Sequence, residues 1–267
     1  MQKNYKLKIA YDGTRYYGWE HQPDQETIQG KIETVLARML DIPFDKASIP
    51  GAEPDSYSLD YLRDKIELIG AGRTDAGVHA AEMTASVILD IDMTEEEIRD
   101  YLNRYLPDDI AVSEVRLASD RFHARYNAAG KTYRYTIFNG DVKPVFDRKY
   151  YTYIEDRLDV GAMRAAAEYM MGEHDFKSFC GNPKMKKSTV RIVDKIEIRQ
   201  SRGYIYITYH GTGFLQNMVR IMTGTLIEVG LYRMKPEQVE DIIGACDRKQ
   251  AGPTAPAKGL MLMSVDY

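Results

Sequence analysis

The sequence predicts an α+β fold with a mostly antiparallel sheet. Strand patterns, in which apolar and polar residues alternate, mix with helical patterns without the strict alternation of a parallel α/β fold. Two of the strand patterns, at 190–199 and 204–209, flank Ser201-Arg202-Gly203 and therefore indicate an antiparallel hairpin. The 267 residues are enough for two modest domains, and we predict one over 1–118 and a second over 119–267.

The first half of the chain begins with a predicted strand over residues 3–11, where Leu7, Ile9 and Tyr11 alternate with polar residues. Thr27 is placed to cap a helix whose apolar residues fall on one face. That face consists of Ile28, Ile32, Val35, Leu36 and Met39. Three prolines and a glycine in residues 42–60 predict the longest irregular stretch of the chain.

A strand predicted over 65–69 leads into a glycine-rich segment, residues 70–77. Another strand is predicted over 87–91. Thr94 and Glu97 form the pattern of a capping box, which predicts a helix that ends at Pro107. A strand over 110–115 follows.

The second half repeats this order loosely. Strands are predicted over 132–138 and 259–265, in addition to the hairpin. Asp159 caps a predicted helix that stops at Gly172. A second predicted helix passes through Met218 and closes at Gly230, and Pro236 marks the first turn of a third.

Several classes of protein are disfavoured by the whole chain. No apolar run approaches the roughly 18 residues that span a bilayer, and the N-terminus lacks the apolar core of a signal peptide. Cys180 and Cys246 lie far apart, as expected for reduced thiols of a cytoplasmic protein. The histidines do not share metal-ligand spacing with these cysteines, so we expect no zinc site.

Charge is distributed unevenly along the chain. Residues 1–120 carry 13 Lys and Arg against 24 Asp and Glu, whereas residues 121–267 carry 23 against 16. The positive charge concentrates at 121–149 and 184–202. Such runs are often merely solvated, but two of them on one half of an acidic protein predict a face that binds phosphate groups.

The glycine-rich segment carries the residues best suited to chemistry. Arg73, Thr74 and Asp75 follow one another between glycines, which permit tight turns and close approach of a ligand. A nearby cation favours an ionised carboxylate, which suits a nucleophile or a charge stabiliser better than a general acid. From the residues alone, a surface turn with a short-range pair between Arg73 and Asp75 is the favoured interpretation.

A resemblance to a known family covers almost the whole chain. Its central motif is Gly72-Arg-Thr-Asp-Ala-Gly-Val-His79, and further motifs follow at compatible spacing. They are 11–13 with 17–19 and 22, 103 with 106–110, 122–125, 131–135, 172–176 with 178–179, 213–215 with 217–220, and 251–256. In these motifs the sequence resembles the TruA family of tRNA pseudouridine synthases.

The resemblance implies a fold and an activity. The fold would be two halves, each like a ferredoxin or RNA-recognition domain, joined by the sheet with the active cleft between them. The enzyme would be a homodimer without metal or organic cofactor. It would isomerise uridines at positions 38 to 40 of the tRNA anticodon stem–loop.

The resemblance also implies the site residues. Asp75 would be the catalytic carboxylate, and Arg73 would contact the RNA at the mouth of the site. Tyr133 would pack against the target uracil, and Arg220 would pair with Asp75. From the residues alone, Tyr133 also fits sheet packing and Arg220 fits a surface arginine whose charge reaches solvent.

The chemistry of the residues agrees with isomerisation. Glycoside hydrolases use two carboxylates to break a glycosidic bond, but the glycine-rich segment offers only Asp75. A uridine in a stem must be flipped out, and Tyr133 can stack on the extruded base. A non-catalytic RNA-binding protein and a nucleoside glycosylase remain alternatives. Three departures from the family pattern are Glu20, where relatives commonly have Gln, Glu82-Met83 in place of Gly-Gln, and a loop over 42–60 that is longer than in many members.

Overall fold

The computed structural model describes residues 1–22, 24–42 and 66–267. The chain forms two compact units. Met1–Ala128 and Tyr267 make up unit 1, and Ala129–Asp266 make up unit 2. The predicted irregular stretch over 42–60 lies, from residue 43 onward, outside the described residues.

Unit 1 contains an antiparallel sheet with its longest strands at the centre. Its strands are β1 (Lys3–Tyr11), β2 (Ile69–Gly70), β3 (His79–Leu89) and β4 (Ile110–Leu117). Strand β1 pairs with β3 on one side and with β4 on the other, and β2 pairs with β3. The predicted alternation of β1 is confirmed, because Leu7 and Ile9 are fully buried while Lys6 and Lys8 are only partly covered.

Two helices of unit 1 begin at the predicted caps. They are α1 (Ile28–Met39) and α2 (Glu95–Tyr105). The hydroxyl of Thr27 accepts a hydrogen bond from the Gly30 N–H at the start of α1. Thr94 and Glu97 form the predicted capping box at the start of α2. Both helices bury an apolar face, and their caps satisfy N–H groups that a helix leaves unpaired.

Unit 2 contains a longer sheet. Its strands are β5 (Gly130–Phe138), β6 (Thr152–Tyr153), β7 (Gly172–Asp175), β8 (Val190–Ser201), β9 (Tyr204–Gly211) and β10 (Leu260–Asp266). The strand order is β10-β5-β9-β8-β7 with antiparallel neighbours, and β6 pairs with β5 in parallel. Beside the end of β9, His210 contacts Asp194 through Nδ1 and Asp266 through Nε2. This cluster ties strands β8, β9 and β10 together.

The helices of unit 2 are α3 (Val160–Tyr169), α4 (Met218–Gly230) and α5 (Gln238–Ala245). Asp159 caps α3 as predicted, accepting a hydrogen bond from Ala162 N–H at 2.9 Å. Helix α4 is buried along most of its length, which agrees with its apolar composition. Asn217 precedes α4 in the left-handed conformation, with φ of 59°.

The mostly antiparallel character of the predicted fold is confirmed, but three element boundaries were wrong and a short strand was missed. Strand β2, predicted over 65–69, covers only Ile69–Gly70 within the described residues. Strand β3 begins at His79 and not near Val87, because residues 80–86 continue its pairing with β1. Helix α5 begins at Gln238, so Pro236 precedes the helix and does not lie in its first turn. The short strand β7, directly after α3, was not predicted.

Candidate active site

Asp75 lies on the loop that connects β2 to β3. The loop is fixed at its start by a hydrogen bond of 2.8 Å from Ala71 N–H to Thr84 O. At its end, Val78 N–H donates to Asp75 O over 3.1 Å and closes a four-residue turn. Gly77, the third residue of this turn, has φ of +77°, which glycine adopts without strain. The turn leaves the Asp75 side chain partly exposed to solvent.

The segment that follows β1 holds this loop from the side. Trp19 N–H donates to Thr74 O over 3.1 Å, and Gly77 N–H donates to Tyr16 O over 3.3 Å. The buried hydroxyl groups of Tyr11 and Thr74 are 2.8 Å apart and share a hydrogen bond. Residues on both sides of Asp75 are therefore bonded to segment 11–19, and the carboxylate stands on a supported piece of backbone.

Gly18 is a residue of segment 11–19 at which the backbone comes very close to the Asp75 loop. Its φ is +93°, and a methyl group added to it would lie 2.5 Å from Thr74 O. No other residue type would fit there without moving the loop. The glycine of the motif at 17–19 is therefore required on steric grounds in this chain.

Segment 11–19 is in turn anchored to the start of β4. Asp12 N–H donates to Asp109 O over 2.9 Å. The Tyr16 hydroxyl donates to the Asp109 carboxylate over 2.7 Å, and the Arg15 guanidinium forms an ion pair with the same group. Partial burial alone would raise the pKa of Asp109, but the bonds from Arg15 and Tyr16 outweigh burial and lower this pKa.

A buried polar network holds the chain just before the Asp75 loop. The Glu33 carboxylate, fully buried on α1, accepts hydrogen bonds from Gln29 Nε2 at 3.0 Å and from Leu68 N–H at 2.9 Å. Its other oxygen contacts His21 Nε2. Within the described ranges, His21 Nδ1 is buried without a hydrogen-bond partner. The network fastens residue 68, just before β2, to helix α1 and to the chain that follows Trp19.

Arg73 projects from the same loop, and its guanidinium pairs with the carboxylate of Glu20. The arginine side chain is 61% exposed and the glutamate side chain is 36% exposed. Sequence reasoning placed Arg73 beside Asp75 or against the RNA, so the contact with Glu20 was not anticipated.

The other two predicted site residues belong to unit 2. Tyr133 lies on β5, only 8% exposed, and its ring meets that of Phe214 nearly at right angles with centroids 5.4 Å apart. Arg220 Nε donates to Ala255 O over 2.7 Å, and its Nη1 donates to Asn217 Oδ1 over 2.8 Å. The predicted pairing of Arg220 with Asp75 concerns residues of different units and stays a prediction.

The second basic run begins in an exposed loop of unit 2. Lys184, Lys186 and Lys187 are all exposed there. Lysines with mobile, exposed ammonium groups are the usual contacts for nucleic-acid phosphates. The loop is therefore a candidate for contact with RNA.

Comparison with known proteins identifies the family. A family model described as tRNA pseudouridine synthase matches residues 8–127 and 166–267. tRNA pseudouridine synthase A of Bacillus sp. (strain KSM-64) is 48% identical over 265 residues, which cover 99% of this chain and 99% of the relative. The protein of the same name from Brevibacillus brevis is 39% identical and covers 99% of this chain and 100% of its own. The chain belongs to the tRNA pseudouridine synthase family.

As a member of this family, the enzyme is an isomerase that converts uridine to pseudouridine in tRNA. That reaction breaks the bond between N1 of the base and C1′ of the ribose and forms a bond between C5 and C1′. In the part of the chain that the structure describes, no group of three or more His, Cys, Asp or Glu side chains is arranged to hold a metal ion. None of the described helices is long and apolar enough to cross a membrane.

Sequence reasoning missed the residues that support the loop. Tyr16 was not noted at all, and Trp19 was noted only as part of a family motif. Tyr11 was noted for that motif and as a strand residue, and Thr74 only as a hydroxyl beside Asp75. The signal that could have identified them is the run of aromatic residues and glycines directly after β1, which has neither strand nor helix periodicity. A run of this kind is typical of a segment that packs against another loop.

Proposed function

We propose that the enzyme modifies uridines at positions 38 to 40 of the tRNA anticodon stem–loop, with Asp75 as its catalytic carboxylate. The observation that carries the assignment of Asp75 is that the loop around it is held in place by hydrogen bonds. The backbone of its neighbours Thr74 and Gly77 is bonded to segment 11–19, and the loop starts from a buried polar network. Such support is what a reacting group needs, because catalysis depends on geometry kept to a fraction of an ångström.

Two routes are consistent with one carboxylate. In the first, Asp75 attacks C1′ as N1 departs, and the freed uracil turns so that its C5 displaces the carboxylate. In the second, Asp75 assists a sugar-derived intermediate by stabilising its charge or by removing a proton. Both routes end with C5 bonded to C1′, the C5 proton released and a proton bound to N1, so that the product is an isomer of the substrate.

The remaining site residues bind the nucleotide. We propose that Tyr133 packs against the flipped uracil. The edge contact with Phe214 holds the Tyr133 ring in position for this role. Arg73 contacts the RNA at the mouth of the site, and Arg220 contributes positive charge to the site. Hydrogen bonds from Arg220 to Ala255 and Asn217 restrict the position of its guanidinium.

The wider assignments rest on the resemblance to the family. They are two halves like ferredoxin or RNA-recognition domains, a homodimer, action in the cytoplasm, and catalysis without a metal or an organic cofactor. The two α+β units, each with a mostly antiparallel sheet, support the first of these. The exposed lysines of the loop at 184–187 support contact with tRNA.

The test uses tRNA transcripts that keep uridine at only one of positions 38, 39 and 40, with cytidine at the other two. We expect each transcript to yield pseudouridine and no free uracil when incubated with the protein. Asp75→Asn should abolish product formation and leave tRNA affinity within a few-fold. The matched control is Asp92→Asn, an exposed carboxylate of the same unit, which should behave like the wild type.

Each part of the proposal has its own contrary result. Turnover by Asp75→Asn within a few-fold of the wild type would refute the role of Asp75. Release of free uracil would identify a glycosylase. Pseudouridine at other positions, with none at 38 to 40, would refute the substrate assignment alone.

A further inference from the structure

The ion pair between Glu20 and Arg73 places a negative charge beside the proposed RNA contact. Its two partners come from distant parts of the sequence, one from the segment after β1 and one from the Asp75 loop. Both side chains reach solvent.

The backbone fixes the position of Glu20. Its preceding neighbour Trp19 donates its N–H to Thr74 O over 3.1 Å and accepts a bond from Gln29 N–H over 3.0 Å. Its following neighbour His21 contacts the buried Glu33. Because Trp19 is bonded to residue 74, Glu20 lies next to residue 73, and its side chain meets the arginine.

The pair is strong enough to orient Arg73 but weak enough to exchange. Exposed ion pairs stabilise a fold very little, because water and salt compete with them. A phosphate group of RNA offers the guanidinium the same kind of oxygen acceptors as a carboxylate does. Binding of a phosphate to Arg73 therefore requires the Glu20 carboxylate to give up its partner.

We propose that Glu20 is a positioning residue for Arg73, which it holds beside the Asp75 loop in the free enzyme and releases to a phosphate group of the tRNA. The inference rests on the proposed contact of Arg73 with RNA. It adds that the contact is an exchange of one anion for another. The carboxylate makes binding weaker, and less dependent on salt, than a glutamine would.

Glu20→Gln tests this exchange because it keeps the shape and removes the charge. With glutamine, a phosphate binds an unpaired Arg73 and releases one more cation from the RNA than it does in the wild type. The slope of log K against log salt should steepen by about 0.7 to 0.9. At 50 mM salt, Kd and KM for tRNA should fall about five-fold, the size expected for one charge about 4 Å away in water. The two titrations should converge at high salt.

Two further variants separate exchange from a general effect of charge. Asp100→Asn removes a carboxylate from another exposed pair of unit 1, in which it lies 2.7 Å from Arg99, and should change affinity less than two-fold. In an Arg73→Gln background, Glu20→Gln should leave the salt slope unchanged. Thermal unfolding of each variant checks that the fold is intact.

The inference is overturned if Glu20→Gln gives the same salt slope as the wild type, or if the gain persists in full without Arg73. Pseudouridine formation is measured on the same samples. Product from the wild type together with an unchanged slope would reject the exchange and keep the proposed function. Absence of product from the wild type would reject the proposed function itself.

Discussion

Gly18→Ala tests how strictly segment 11–19 fixes the Asp75 loop. The new methyl group would lie 2.5 Å from Thr74 O, whereas ordinary contacts begin near 3.4 Å, so this atom would have to move by about 0.9 Å. Asp75 is the next residue, and its carbonyl carbon would lie only 3.2 Å from the methyl group. A misplacement of about 1 Å near a reacting group costs about 100-fold in rate. We therefore expect single-turnover pseudouridine formation to slow by about 100-fold.

Stability should also decrease, but less. A side chain at φ of +93° is strained by about 1 to 2 kcal/mol. For a protein of this size, that corresponds to a fall in Tm of about 2 to 8 °C, so the variant should be folded at 25 °C. Affinity for tRNA should change only a few-fold, because phosphate contacts elsewhere are retained.

Gly244→Ala is the matched control for this experiment. Gly244 lies in helix α5 with nothing within 4 Å of an added methyl group. Alanine in a helix is favoured over glycine by roughly 0.5 to 1 kcal/mol, so Tm should stay equal or rise and the rate should not change. If Gly18→Ala turns over within three-fold of the wild type, the packing of segment 11–19 does not determine the position of Asp75.

Two further predictions concern unit 2. Replacing Lys184, Lys186 and Lys187 together by Gln should weaken tRNA binding and flatten its salt slope by about two to three, as measured by filter binding; an unchanged slope would show that these lysines are only solvated. Partial burial alone would lower the pKa of His210, but its hydrogen bonds with two carboxylates raise this pKa above the ordinary value near 6.5. The stabilisation is therefore full below pH 6.5 and is lost as the pH rises through the higher pKa of the folded state. Urea unfolding at pH 6 and at pH 8.5 should show this loss in the wild type and a smaller one in His210→Gln.

The sequence predicted those parts of the fold whose cause is local. The capping box at Thr94 and Glu97 involves residues three apart, and the hairpin at 201–203 involves adjacent strands, so both could be deduced from a short window. The start of β3 was wrong because its first half contains Ala80, Ala81 and Glu82, residue types with weak strand preference. Those residues are held in the sheet by pairing with β1, about 75 residues away in the sequence.

The candidate site was predicted only in part, for the same reason. Asp75 and Arg73 were selected because their motif resembles that of a family, whereas composition alone favoured a surface turn. The contacts of Tyr11 and Trp19 with Thr74 join residues about 60 positions apart. Such long-range contacts cannot be predicted from periodicity or from motif spacing in the sequence. The ion pair of Glu20 with Arg73 was missed although both residues had been noted separately.

Two glutamates near the Asp75 loop have opposite properties, and the contrast explains how the loop can be both fixed and adaptable. Glu33 is fully buried, and its oxygens contact Gln29, Leu68 and His21. Leaving such a buried group without a partner costs about 1 to 3 kcal/mol, so conformations that break this network are rare. Glu20 is partly exposed, and an exposed pair contributes only about 0 to 1 kcal/mol, so its contact opens readily. Because His21, the residue directly after Glu20, belongs to the network, the backbone stays in place while the guanidinium of Arg73 changes partner. On the proposed roles of Asp75 and Arg73, the chain thus separates the position of the carboxylate, which the reaction needs to be constant, from the RNA contact, which has to form anew with each tRNA.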